Sequence, residues 1–516
     1  NQSSGNGAGI VVSGASGRLE MTGGCVGSNS ASGSGGGIRV QSGATANIGG
    51  TAEISNNQAG NSGGGIHVLN AVCNISGNAV VKNNQSPLGG GIYLEGSSQL
   101  NLSGDCRIEE NSSNQIDKTD GAVFNQTENA YVGGAPKTLQ ELIDETGDGG
   151  ILVLSRDFLS EEAIRITRNI TIDFNGYTIE GAGTVSGPDP KPEQLIRIEG
   201  CEVCFRGPGK LSQKPGRGSW FVVVNLQEGG RLAVEGLEIT SGESRGLLVE
   251  DSVLDFRSGS IHDSGTLSTS GGAIVAITGE INIHGGTFDG NRSRNGAVIR
   301  AFEGSKVTIS NGNFSDNMAD QNGGAVYCEN SEITLTGIPV FANNKAGTGD
   351  YTYGGAICTD NGIQMQGNPR FVSNRAGFGG AVYSLGETII NGGEFDGNMA
   401  SQMGGAIQGD DVTLEGNVFI HNNTAVWGGG VIVGAIGDQG ASPSYMNNHG
   451  RLYMSRGVAI ESNECSDYTG AGGYRGQGGG VWAYDLEIDG DVALEGNRCS
   501  GLGGGIYSRH NLKITA

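Results

Sequence analysis

Positive charge is scarce in this chain. Lys and Arg total 31 against 54 Asp and Glu, for a net charge of −23. That balance excludes nucleic-acid binding, which needs a basic stripe, and attachment to anionic membrane surfaces. It suits an extracellular surface, with calcium as a candidate counter-ion and no other cofactor implied. No apolar run is long enough for a transmembrane helix, and no signal peptide is present. The six His form no HxxxH or HxH pair, and P-loop, nucleophile-elbow and dinucleotide motifs are missing. The nine Cys are widely spread, and only Cys201-x-x-Cys204 has a metal-like spacing. It lacks a second pair and sits in an alternating stretch that sends its sulfurs to opposite faces, so no metal site is expected. Aromatic residues are only 6%, which fits a narrow interior filled with Ile, Val, Leu and Ala.

What the chain has is glycine, 97 residues of it, without a Gly-X-Y period. Much of that glycine belongs to a repeat. A Gly pair, an Ala and an aliphatic residue recur, and the aliphatic marks the register at Ile274, Val298, Val326, Ile357, Val382, Ile407, Val431, Val481 and Ile506. Steps of 24 or 25 residues recur among them. A second motif, an aromatic or aliphatic residue three before Asn, falls between: Phe288–Asn291, Phe314–Asn317, Phe341–Asn344, Phe371–Asn374, Phe395–Asn398, Ile420–Asn423, Ile460–Asn463 and Leu494–Asn497. A fixed period near 25 residues means a stack of repeats. Within each period short runs alternate, as in Val412-Thr413-Leu414-Glu415, so these are strands rather than helices. Three short strands per period, broken by Gly and Asn, describe one coil of a parallel β-helix, with coils ~4.8 Å apart. Gly and Asn suit the corners because they accept left-handed backbone angles. An Asn in the same corner of every coil can also pass amide hydrogen bonds along the stack.

The paired motifs, Gly-Gly-Ala-Ile/Val and Phe-x-x-Asn, resemble the repeat of the chlamydial polymorphic outer membrane proteins, well over residues 271–516 and more loosely over 1–130. The resemblance implies an all-β, right-handed parallel β-helix at the surface of a prokaryotic cell, often an adhesin. The C-terminal membrane barrel of that family's autotransporter part is not read in this stretch, so no direct membrane insertion is expected of it.

Two segments are expected. Residues 1–131 read as the C-terminal coils of an upstream β-helix, with Ile10, Ile38, Ile66 and Ile92 in register. Residues 132–516 form a second one. Its start carries Leu139, Leu142 and Ile143 at helical spacing behind a capping box, Thr138-x-x-Glu141. A short helix near residues 138–146 would cap the bore and its strand edges, which resembles the way pectate-lyase-like β-helices begin. Irregular coils follow at 150–270 and regular ones at 271–516. The sequence starts at Asn1 and stops in mid-repeat, which reads as a piece of a longer protein whose export and anchoring signals lie elsewhere.

Binding residues are expected where the period is interrupted. Insertions at 349–353 and 466–477 leave from one corner and carry Tyr351, Tyr353, Tyr468 and Tyr474; a third, at 434–453, carries Tyr445. Trp427 belongs to a stripe of large residues before the Gly pairs (Tyr353, Phe378, Met403, Trp427) that reads either as an exposed interface or as a half-buried stack sealing the corner. Carboxylates after the register aliphatics, Asp410 and Asp411 among them, read as an acidic ridge; stacked carboxylates come with the fold and do not by themselves mean catalysis. Cys465 and Cys499, each two residues past a repeat Asn, share a register on adjacent coils, which leaves a disulfide and a pair of buried thiols both open. The favoured function is a non-enzymatic adhesin presenting loops to a host glycoprotein, glycan or immune protein. The alternatives are a carbohydrate-active β-helix enzyme and a passive spacer.

Overall fold

The computed structural model describes residues 1–127, 129–133, 138–154, 157–182, 194–215, 221–268, 271–347, 349, 351–434, 449–467 and 475–515. These form two compact units, 1–138 and 139–516. Both are parallel β-helices.

The first unit has three faces of five parallel strands each. Its first face stacks Ile10–Ser13, Ile38–Gln41, Ile66–Leu69, Ile92–Glu95 and Ile116–Lys118. Alternate residues point inward, so Ile38, Val40, Ile66, Val68, Ile92 and Leu94 line the bore without solvent exposure.

The second unit begins with the one α-helix among the described residues, α1 (Leu139–Glu145). Leu139 and Ile143 are buried in the bore's apolar core. The side chain of Gln140 satisfies the edge of the first coil: its Oε1 accepts the Arg165 N–H at 2.7 Å and its Nε2 donates to the Arg165 carbonyl at 3.0 Å. The helix thus covers apolar bore and unpaired strand together.

Beyond it the three faces merge into one continuous sheet. Strands such as Val382–Asp396 and Ile407–His421 run around the corners without a break, one of them pairing with three separate strands of the coil before. A fourth, narrow sheet of eight strands follows the Asn corners, from Arg292–Asn295 to Arg498–Cys499.

Three residue types hold the coils in line. Phe288, Phe314, Phe341, Phe371 and Phe395 stack inside the bore with ring centroids 4.7–5.0 Å apart, all fully buried. Three residues on, each buried Asn hands both its N–H and its Nδ2 to the Oδ1 of the next, as Asn344 does to Asn374 at 3.0 Å. The Gly pair supplies two different freedoms. The first, as at Gly379 (φ 62°), is left-handed. The second lies against the neighbouring coil: a Cβ on Gly380 would sit 2.0 Å from the Gly405 carbonyl oxygen.

One register differs from expectation. Ile299, not Val298, pairs with Ile274 and Val326. In that coil Ala297 stands in the place of the second Gly, so the motif's aliphatic falls one residue later.

Candidate binding corner

On the first face the residue after each register aliphatic points away from the bore. Register places Arg300, Tyr327, Cys358, Tyr383, Gln408, Ile432, Trp482 and Tyr507 in one outward row. The stripe before the Gly pairs folds over this row. Tyr353 bridges to Phe378, and Met403 to Trp427. Row and stripe form a second apolar cluster outside the bore, with Phe378, Met403, Trp427, Ile432 and Trp482 buried.

Trp427 is therefore not a contact residue. It is only 1% exposed, and its indole N–H donates to the Arg475 carbonyl at 3.0 Å. Burying so large a ring against the outward row stabilises the corner more than presenting it to water would. The sealing role, not the exposed interface, describes the stripe from Phe378 to Trp427.

The seal opens at one end. Cys358 lies between Tyr327 and Tyr383 in the row, and its short side chain leaves a recess of about 150 Å³. Tyr353 walls it from the corner side, its ring 4.8 Å from that of Tyr383 at 57° and stacked 5.2 Å from Phe378. Thr359, Asp360 and Leu385 complete the lining with Asn322. Asp360 accepts the Asn330 N–H on Oδ1 at 2.7 Å. Burial, then Cys358 and the carboxylates Glu329 and Asp360, push the Tyr327 hydroxyl well above its ordinary pKa, so it stays neutral. The insertion lies beside the recess. Thr352 ties it down, its Oγ1 accepting the Gly377 N–H at 2.8 Å and donating to the Gly349 carbonyl at 3.2 Å, and Tyr351 is 57% exposed.

Of the expected binding residues, the structure thus brings Tyr351 and Tyr353 to one place and withdraws Trp427. Tyr445, Tyr468 and Tyr474 lie outside the described residues. Tyr327 and Tyr383 were not among the expected residues, and Asp360 was expected only as one of the ridge carboxylates. Their signal was available: a large aromatic directly after a register aliphatic must face outward.

The carboxylates form a ridge only in part. Glu387 and Asp411 are register partners, and Arg451, Asp485 and Asn511 continue the row. The Arg451 N–H donates to Asp411 Oδ1 at 2.8 Å. Asp410 turns aside toward His449, whose Nδ1 is 3.7 Å from its Oδ1. Burial raises the Asp410 pKa, His449 working against it. On the third face Glu394, Asp396 and His421 hold ligand atoms within 4.8 Å of one another. Arg370 occupies Glu394 at 2.7 Å and Asn422 donates to Asp396 at 2.9 Å, and two carboxylates with an imidazole fall short of the six to eight oxygens calcium takes. Cys201 is buried and donates to the Ile166 carbonyl, and burial raises the pKa of both Cys201 and Cys204, opposite to what a thiolate ligand needs.

A model of the Chlamydia polymorphic membrane protein repeat matches residues 311–329. That stretch runs from before Phe314 and Asn317 through the Gly323-Gly324-Ala325-Val326 corner, so it holds one rung of each ladder. No curated protein and no solved structure matches the chain. The chain is a parallel β-helix, and one of its repeats, residues 311–329, is similar to the polymorphic membrane protein repeat.

Proposed function

We propose that this protein is a non-enzymatic adhesin that acts outside a prokaryotic cell, its rigid β-helix displaying the corner at Gly349 and Tyr351–Tyr353 to a host glycoprotein, glycan or immune protein. The observation that carries this reading is the open aromatic recess beside the exposed Tyr351, where the sealed outer stripe gives way. The repeat match supports a surface location. An aromatic exposed on a pinned insertion offers contact area at little cost in chain entropy. The test is binding to a glycan array and to host secretions by wild type and Tyr351→Ser. Thermal unfolding should be unchanged and affinity for the captured partner should fall at least tenfold, about 1.4 kcal/mol. Equal binding by the variant would move the site elsewhere, and no binding by either would favour a spacer.

A second reading, a carbohydrate-active enzyme, is favoured by one pair. Asp410, its pKa raised by burial, faces His449 with Asp411 next in sequence. A raised carboxyl can serve as a general acid. Arg451, the nearby cation, is ion-paired to Glu487 rather than free to hold a sugar acid. Release of reducing ends or unsaturated products from acidic polysaccharides, lost in Asp410→Asn, would establish this reading in place of the first.

A further inference from the structure

We propose that the recess between Tyr327 and Tyr383 binds a trimethylammonium group. The inference rests on the corner being a binding surface and gives that surface a ligand class.

The geometry comes from the coil step. Tyr327 and Tyr383 stand two coils apart, ~9.6 Å at the ~4.8 Å inter-strand spacing, with Cys358 between them. A cation held over Cys358 would stand one ~4.8 Å coil step from the strand position of each tyrosine, a spacing that lets both rings come within the ~6 Å over which a ring face attracts positive charge. Tyr353 adds a third ring from the side.

Size and polarity narrow the ligand. A recess of about 150 Å³ is smaller than the ~300–1,000 Å³ that holds a whole drug-sized molecule, so it takes a headgroup. Three rings, Leu385 and Cys358 supply an apolar wall that suits methyl groups. A bare ammonium would exchange most of its hydration for ring faces, Leu385 and Cys358, with Asn322 and Asp360 as its polar partners, and Asp360 Oδ1 also takes the Asn330 N–H. A trimethylammonium group needs no hydrogen bonds and keeps its attraction to the rings and to the Asp360 charge. The Arg300 guanidinium does not cancel that charge. Arg300, a coil below Tyr327, reaches Glu329 with its Nη2 at 3.5 Å and lies over the Phe302 ring at 5.1 Å.

Calorimetric titration of the full chain with choline chloride, against sodium chloride at equal ionic strength, tests this. One saturable site is expected, with tetramethylammonium binding more tightly than ammonium. Tyr327→Leu, Tyr383→Leu and Asp360→Asn should each weaken choline at least tenfold, Cys358→Leu should fill the recess and abolish binding, and Tyr327→Phe should bind as wild type. Asp360 is only half-buried, so its variant serves if a more deeply buried one unfolds. Phosphocholine separates the sources: tighter binding than choline points to a phosphocholine-bearing surface, weaker binding to the free cation. No saturable choline binding at millimolar concentrations, or ammonium binding as well as tetramethylammonium, overturns the proposal. If choline fails while Tyr351→Ser still loses its partner, the cation site is wrong and the corner stands. If choline binds and Tyr351→Ser keeps full affinity, the corner reading is the one that fails.

Discussion

Asn344 shows how much one side chain carries in this architecture. Its Oδ1 accepts the N–H and Nδ2 of Asn317 at 3.2 and 3.0 Å, and its own Nδ2 donates to the Phe314 carbonyl at 2.8 Å and to Asn374. No solvent reaches it. Asn344→Ala strands three polar groups with no water to replace the partner, at roughly 1–3 kcal/mol each. A loss of about 3 kcal/mol or more is expected in urea unfolding. Asn344→Asp is the sharper probe. It keeps the acceptor but loses the donor, and aims a buried charge at the Phe314 carbonyl. It should be worse than Ala at neutral pH and recover as acid neutralises it. If both variants cost under 1 kcal/mol, the Asn row follows from the stack rather than aligning it.

At the scale of the coil, the same corner explains the disulfide. Ala425 pairs with Cys465 and Cys465 with Cys499 in the narrow sheet, and the Cα atoms of the two cysteines are 4.6 Å apart and their sulfurs bonded. Seven cysteines are free, so denatured protein should titrate seven thiols and Cys465→Ala eight. Losing a link across 34 residues should cost about 2–4 kcal/mol. Nine thiols in the wild type would mean the sulfurs are unbonded. The elements also show what the sequence could reveal. The Phe and Asn rows were legible because a chemically distinct side chain recurs at one place. Register slipped at Val298 because Ala297 replaces a Gly, and counting from the motif then lands one residue short. The narrow sheet was invisible: Lys345–Ala346 and Thr424–Ala425 are too short to alternate. The recess was missed for a related reason. Tyr351 and Tyr353 stand out as an irregularity, whereas Tyr327 and Tyr383 sit inside regular coils, and only the outward turn of that one position makes them a pair.

Over the whole molecule, the two units have separate buried cores. A stack of repeats passes stability only to its neighbours, so each unit should unfold as its own transition. His67 labels the first. It is 1% exposed, with Nδ1 facing Arg39 Nη1 at 3.0 Å, Nε2 facing Glu95 at 3.1 Å and Tyr93 stacked on its ring. Burial first, then the Arg39 charge, pushes its pKa down to about 4, Glu95 opposing. Unfolded, it returns to about 6.5. Between these values the unfolded state binds the extra proton, so stability is full above 6.5 and falls as pH drops toward 4. At pH 5 the deficit is about 2 kcal/mol relative to pH 7 and above. In the second unit the Lys210 hydrogen bond holds the Glu238 carboxyl below its ordinary pKa, so it is still ionised at pH 5. Two urea transitions are expected, of which one shifts down from pH 7 to pH 5, and His67→Gln should remove that shift while leaving the other transition in place. A single transition moving as a whole with pH would show that the two units unfold as one.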